Sequence, residues 1–314
     1  MHLKINRVEF IITNQCTGQC KHCSEGDKLG RRGHLEYEML KGLLTQLGRR
    51  FTITSVMCFG GEPLLYYKEA KGILAEASEC NIAKRQMITN GFFTKDNGKI
   101  RTVAQALEEA GVNDILLSVD AFHQETIPLE PVYEFAKRIR EGNRIRLRLH
   151  PAWVVNQEHD NPYNRKTREL LSRFEPLDLP VSRGNNIFPA GKAVDYLAEY
   201  FPAPEADPDF RCGDSPYSTR LDEVESISIS PNGDVHVCCF PIGNVYTEDI
   251  NEILDRYQPY GHPMMRRLLE DGVSGLIEYA GEQNVVIDPG KHHSACGICR
   301  EIVDKLCENQ SRCE

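Results

Sequence analysis

Residues 14–23 read NQCTGQCKHC and place Cys16, Cys20 and Cys23 in a C-x3-C-x2-C array. The array follows the apolar run Val8, Phe10, Ile11 and Ile12 and precedes a polar, glycine-containing segment. It therefore reads as a loop leaving the end of a strand. Three closely spaced thiolates on one loop cradle a metal centre, and the count of three is informative. A structural zinc site closes its tetrahedron with four protein ligands, whereas a cubane iron–sulfur cluster on three cysteines keeps one iron open to a non-protein ligand. The zinc alternative would borrow a distant fourth ligand such as His22 or His34.

Working outward, the chain alternates strand and helix signals. Residues 7–13 read as a strand, and Leu35, Met39, Leu40, Leu43, Leu44 and Leu47 recur at helical spacing. Ile53, Val56 and Met57 form a strand running into GGEPLLYY, and Ala70, Ile73, Leu74 and Ala77 line one helix face. Arg85–Thr89 is a strand ending at Asn90-Gly91, and a helix follows over residues 99–110. Asp114–Val119 is a strand ending at Asp120, Val132–Ile139 a helix, and Ile145–His150 a strand. Thr167–Phe174 is helical, Leu179–Ser182 is a sixth strand, and Val194–Tyr200 is a helix. Alternation of this kind implies βαβ units with parallel strands, as a barrel or a doubly wound sheet. FPAPEADPDF (201–210) marks a boundary between units 1–200 and 201–314. Beyond it, Pro231-Asn232-Gly233-Asp234 separates two alternating runs, a hairpin signal, with the second strand returning over Val235–Phe240.

The 314 residues carry a formal net charge of −9, with 40% hydrophobic and 26% charged residues. That balance is ordinary for a globular protein and argues against a nucleic-acid partner. Arg138, Arg140, Arg144, Arg146 and Arg148 cluster locally, which reads as a solvated helix end followed by a strand. No stretch suits a membrane span and MHLKINRVEF lacks a signal-peptide core, so a cytoplasmic location is expected. The 12 cysteines then point to metal ligation rather than disulfides. Because the first strand begins by residue 7, no N-terminal winged-helix peptide-binding unit is expected.

Ligands of parallel α/β folds sit beyond the carboxyl ends of the strands. At those ends stand Gly60-Gly61-Glu62-Pro63, Thr89-Asn90-Gly91, and Ser118 with Asp120. Glycines admit close backbone approach, and Glu62 can accept hydrogen bonds from an ammonium group. Ser118 and Asp120 are equally suited to capping a turn. Arg146, Arg148 and His150 alternate on one face of their strand, facing either a barrel interior or solvent. His123, in DAFHQE, is a polar group with possible access to substrate.

Together, C-x3-C-x2-C and GGEP resemble the radical SAM superfamily. The resemblance implies an open, partial (β/α)6 barrel within an α/β fold class. It implies a 4Fe–4S cluster on Cys16, Cys20 and Cys23, with S-adenosylmethionine (SAM) on the open iron. It places the methionyl amino group on Gly60, Gly61, Glu62 and Pro63, other parts of SAM near Asn90, Ser118 and Asp120, and SAM's carboxylate or the substrate at Arg148. An aromatic residue commonly precedes the third cysteine, to pack on adenine; here it is His22. The later cysteines, Cys212, the Gly233-x4-Cys238 hairpin, Cys296-x2-Cys299, Cys307 and Cys313, resemble the SPASM or twitch extension. That extension is a small cysteine-rich α+β unit holding one or two auxiliary clusters. Spacings depart from the pattern, and one auxiliary cluster on Cys212, Cys238, Cys296 and Cys299 is the preferred count; a zinc ribbon is the alternative.

The implied reaction is reductive cleavage of SAM to a 5′-deoxyadenosyl radical, using an electron donor such as flavodoxin or ferredoxin, followed by hydrogen abstraction from substrate. A ribosomally made peptide or protein is the first expectation, modified by crosslinking, thioether formation or epimerisation. A sugar or amino-acid derivative is the second, and a non-enzymatic zinc protein the third. Cys239, placed opposite Cys238 on a strand, could return a hydrogen atom to a peptide radical or be merely buried. Cys58 and Cys80 read as small buried hydrophobes.

Overall fold

The computed structural model describes residues 2–26, 33–201, 207–214 and 218–311, with side chains described as far as Cys307. Strands β1 (Leu3–Ile11), β2 (Ser55–Phe59), β3 (Lys84–Thr89), β4 (Asp114–Leu117) and β5 (Arg146–Leu149) lie side by side, all parallel. Helices α1 (Tyr37–Leu40), α2 (Leu43–Arg50), α3 (Tyr67–Glu79), α4 (Asn97–Glu109) and α5 (Leu129–Gly142) connect them. The two faces of this sheet differ in chemistry. Val8, Phe10, Val56, Met87, Ile115 and Leu117 alternate onto one face and are buried against apolar residues of α3–α5. Burying those side chains is worth about 1.5–3 kcal/mol for each large one, so this face sets the register.

The other face is polar, unlike the two-sided apolar pattern usual for buried parallel strands. Arg7 donates to Glu9 (2.6 Å), Ser55 (3.3 Å) and Gln86 (3.3 Å). Gln86 donates to Asp114 (2.7 Å), and Arg148 grips both Asp114 oxygens at 3.0 and 2.5 Å. Residues from five adjacent strands thus satisfy one another along the inner face.

The sixth barrel strand is reduced. Leu179–Ser182 contributes a single bridge, Val181 to Leu149, with Leu149 N–H donating to Pro180 and Ser182 N–H to Leu149. Two short strands, β6 (Ala152–Trp153) and β7 (Asn185–Asn186), pair separately. Pro180 lies within the segment and the loop-forming Gly184 just beyond it, and neither supports an extended ladder. Helix α6 (Pro162–Ser172) starts earlier than periodicity indicates, because Asn161 caps it by accepting from the Asn164 N–H and Pro162 occupies the first turn. Helix α7 (Lys192–Leu197) follows.

Part of the boundary segment 201–210, residues 202–206, lies outside the described residues. Beyond it, β8 (Val224–Ile229) pairs in parallel with β1, and β9 (Asp234–Val237) and β10 (Phe240–Asn244) complete an eight-stranded sheet in the order β10-β9-β8-β1-β2-β3-β4-β5. The C-terminal unit is therefore continuous with the barrel sheet rather than appended to it. Helices α8 (Ile250–Asp255), α9 (Pro263–Glu282) and α10 (Ala295–Ser311) complete it. Among the described residues, no helix is long and apolar enough to cross a membrane.

Candidate functional site

The three-cysteine loop is fastened to GGEP by backbone. Gly61 N–H donates to the Thr13 carbonyl at 2.7 Å, and Glu62 N–H to the Gln15 carbonyl at 2.8 Å. The glycines are required by this approach. A Cβ on Gly61 would lie 2.1 Å from the Gln15 oxygen, and one on Gly60, whose φ is 135°, would lie 2.5 Å from the Thr13 oxygen. The motif's glycines thus let the loop and the second strand end touch.

Glu62 is completely buried. Its Oε1 accepts from Leu64 N–H (2.9 Å) and the Thr89 hydroxyl (2.6 Å), and its Oε2 from Asn90 N–H (2.8 Å). A carboxylate offers about four acceptor sites, so one remains, on Oε2. Burial pushes its pKa up to about 7, against the pull of these donors. An ammonium placed at the remaining site would favour the charged form.

Asn90 joins this carboxylate to the cysteines. Its Nδ2 points at Cys16 Sγ (3.6 Å) and Thr17 Oγ1 (3.2 Å), while its Oδ1 accepts from Phe92 N–H (2.8 Å). Gly18 N–H also donates to Cys16 Sγ at 3.3 Å. Burial raises the Cys16 thiol to about 11 and drives Cys20 and Cys23 upward too. Bare thiolates are disfavoured here, and a cationic centre would reverse that.

Asp120 is buried at the end of β4 and behaves as a turn cap. It accepts from Phe122 and His123 N–H groups (both 3.0 Å), from Ala152 N–H (3.1 Å), and faces His123 Nδ1 at 2.8 Å. Burial alone would raise it, but His123 and these bonds hold it below the usual carboxylate range. His123 is therefore positioned by Asp120 rather than loose in a loop. Its ring lies 4.9 Å from that of His22, which also packs on Phe122 at 5.0 Å, and Phe122 stacks on Tyr163 at 4.7 Å. Burial lowers His22 to about 4, and its Nδ1 is buried without a partner. Ser118 is buried beside this group, its N–H bonded to Thr89.

Arg148 stands elsewhere. Its guanidinium turns back to Asp114 at the start of β4, away from the strand ends where the sequence reading put it. Opposite charge on the neighbouring strand offers two parallel charge-assisted bonds, and the partner was invisible in a strand read alone. Thr17, Phe122 and Tyr163 join the site without having been singled out, because hydrogen bonds and ring contacts between distant segments carry no local signal. Among the described residues, Cys20, His22 and His123 bring ligand atoms within 4.8 Å of one another, close enough for one ion.

A second cysteine group forms where β9 turns into β10 beside α10. Cys212 Sγ lies 4.0 Å from Cys238 Sγ, and Cys239, Cys296 and Cys299 are close enough to interact electrostatically with this pair. Hydrogen bonding from Cys212, then from Cys239, pulls Cys238 well below the ordinary thiol range, while Cys212 and Cys239 are driven up. Cys238 and Cys239 are not on a strand: Val237 pairs with Phe240, so they form a two-residue turn, with Cys238 at φ 55°. Two-residue hairpins need positive φ. The expected strand alternation between these two cysteines therefore does not apply. Cys307 has Asp304 and Asp234 as its charged neighbours, and Cys313 lies outside the described residues. Cys58 is fully buried, while Cys80 is only partly buried and faces Thr45 at 3.5 Å.

Comparisons with known proteins agree with this geometry. Residues 10–149 match the radical SAM superfamily, and residues 222–270 match the SPASM iron–sulfur cluster-binding domain. The chain belongs to the radical SAM superfamily and carries a C-terminal SPASM domain. It is similar to a probable GTP 3′,8-cyclase of Methanocaldococcus jannaschii, 27% identical over 123 residues, 39% of each chain. It is also similar to the putative peptide biosynthesis protein YydG of Bacillus subtilis, 22% identical over 145 residues, 46% of this chain and 45% of that one. These matches span about half or less of the curated relatives' length. In fold the chain is similar to Streptococcus suis SuiB bound to S-adenosylmethionine, with TM-score 0.55 and 14% identity over 91% of this chain and 75% of that one.

The families imply 4Fe–4S clusters and SAM, and the residues present fit both. The first loop offers three spaced thiols, a free acceptor site on Glu62, and an orphaned His22 Nδ1. The second group offers five thiols, one more than a closed cluster needs.

Proposed function

We propose that this protein is a peptide-modifying radical SAM enzyme. The observation that carries the reading is the pairing of two cysteine sites on one continuous sheet: a three-thiol loop beside Glu62, and a SPASM-type group at β9–β10. The likeness to YydG supports a peptide substrate. When bound, the first cluster and SAM supply hydrogen-atom abstraction after one-electron reduction by a low-potential donor such as flavodoxin or ferredoxin.

The chain's own residues do the rest. Cys16, Cys20 and Cys23 hold the first cluster, while Gly60, Gly61 and Pro63 shape the approach of SAM. Glu62 takes its ammonium, and His22, backed by Phe122 and His123, packs on the nucleoside. Cys212, Cys238, Cys296 and Cys299 hold an auxiliary cluster, and Cys239 beside them is a thiol that can return a hydrogen atom to a substrate radical. The sulfur radical left on Cys239 then takes an electron from the same donor class and a proton from solvent. Epimerisation is the outcome this supports.

The similarity to a probable GTP 3′,8-cyclase favours a second reading, a small-molecule substrate. Anaerobic reconstitution followed by assay for 5′-deoxyadenosine, with peptides encoded beside this gene or with GTP, separates the two. Deuterium transfer from labelled peptide into 5′-deoxyadenosine supports the first; transfer only from GTP replaces it. A colourless protein holding zinc without iron or sulfide ends both.

A further inference from the structure

Asn90 touches both halves of the first site, and its contacts are divided between them. Its backbone N–H is bound to Glu62 Oε2, the same oxygen that keeps an acceptor site open for an ammonium. Its side-chain Nδ2–H points at Cys16 Sγ. The residue is 4% exposed, and its Oδ1 is held by Phe92 N–H, so the amide has little freedom to turn away. Asp or Ser could make the same turn, so turn formation alone does not require an amide. An amide is required to donate to sulfur while accepting from Phe92.

We infer that Asn90 couples occupancy of the Glu62 carboxylate to the reduction potential of the cluster held by Cys16. This rests on the radical SAM reading of that site, not on the identity of the substrate. A hydrogen bond to a ligating sulfur stabilises the more negative, reduced cluster and so raises its potential. An ammonium at the remaining acceptor site of Glu62 Oε2 draws charge from the oxygen that holds Asn90 N–H, which weakens that bond and shifts the residue along the line joining Glu62 to Cys16. Linkage makes the effect reciprocal: if ligand binding moves the potential, reduction must move ligand affinity by the same factor. Asn90 is here a positioning residue; it donates to a ligand sulfur and takes no part in bond breaking.

The test uses the full-length reconstituted protein and S-adenosylhomocysteine, which carries the ammonium but lacks the sulfonium methyl and is not cleaved. Redox titration followed by electron paramagnetic resonance reads the N-terminal cluster, identified as the signal missing from Cys16→Ala. Wild type shifts its midpoint when S-adenosylhomocysteine is added. Asn90→Ala lowers the midpoint so that the reduced fraction at fixed applied potential falls about tenfold, about 59 mV for one electron, and the ligand-induced shift shrinks towards zero. Asn90→Asp, which keeps the acceptor for Phe92 N–H, also abolishes the ligand-induced shift. Thr94→Ala, further along the same loop, removes only a bond to Asp96 N–H and none of Asn90's contacts, so its midpoint and shift stay at the wild-type values.

An unchanged midpoint or an undiminished shift in Asn90→Ala overturns the proposal. So does an equal change in Thr94→Ala, or loss of the cluster from both Asn90 variants, since either would make the role purely structural. Failure of wild type to assemble iron and sulfide or to bind S-adenosylhomocysteine instead overturns the radical SAM reading beneath it.

Discussion

The two cysteine sites belong to one sheet and are built on opposite plans. The first spreads three thiols along one loop and surrounds them with groups from other strand ends: Glu62, Asn90, Asp120 and the His22–His123 pair. The second gathers five thiols from three segments, two of them on a two-residue turn, with the Arg300 charge acting on Cys238 and Cys296. One site has fewer sulfurs than a closed cluster needs and polar groups to receive a further ligand. The other has sulfur to spare. The first plan suits a centre that binds a small molecule; the second suits a centre closed by protein.

Removing a thiol from either site tests that contrast most severely. Cys20→Ser is expected to cost about four irons per chain and to bring 5′-deoxyadenosine formation to background, read by iron analysis and chromatography. Cys299→Ala should cost a similar amount of iron while leaving measurable SAM cleavage uncoupled from substrate modification. If cleavage vanishes equally in both, the two sites are not functionally distinct.

Next in size is Glu62→Gln, expected to weaken S-adenosylhomocysteine binding about tenfold or more by calorimetry, since a charge-assisted bond contributes about 1.5–3 kcal/mol. The same residue gives a pH signature. Its pKa is pushed up to about 7, so the carboxylate is mostly protonated below that value and charged above it. An ammonium needs the charged form, and affinity should therefore rise between about pH 6 and about pH 8 in wild type and stay flat in Glu62→Gln.

Subtler still, Cys239→Ala should keep the iron content of both sites but change the product, because the surplus thiol is not needed for closure. Unchanged product by mass spectrometry would remove the epimerase reading. The smallest effect belongs to Cys307→Ser, expected to leave iron, sulfide and activity at wild-type levels, since its charged neighbours are Asp304 and Asp234.

How much of each site could be read in advance follows the same division. Cys16, Cys20 and Cys23, and the glycines and Glu62 of GGEP, were legible because each motif is local and its residue types are constrained by chemistry. Glycine at 61 is forced by a backbone oxygen 2.1 Å from where a Cβ would sit. Cys212, Cys238, Cys296 and Cys299 could be picked out as a set, but the place of Cys239 could not. Cys-Cys carries no turn signature, and only the pairing of Val237 with Phe240 shows that the chain reverses there. Arg148 was set at SAM's carboxylate or the substrate by the resemblance, whereas its guanidinium is held by Asp114 on the next strand. The sixth strand looked like its predecessors in composition and shrank to one bridge at Val181.

By itself the sequence determined the class of chemistry: three thiols on a loop, a glycine-flanked carboxylate after the next strand, and a later cysteine set. Periodicity determined that strands and helices alternate. Only the tertiary structure decided that β8 lies against β1 and makes one sheet of two expected units, that Asn90 bridges Glu62 and Cys16, and that Asp120 aims His123 at His22. The reason is physical. Ligand type and helical or strand period are properties of neighbours in sequence, while hydrogen bonds between strand ends depend on a register that the whole apolar core sets.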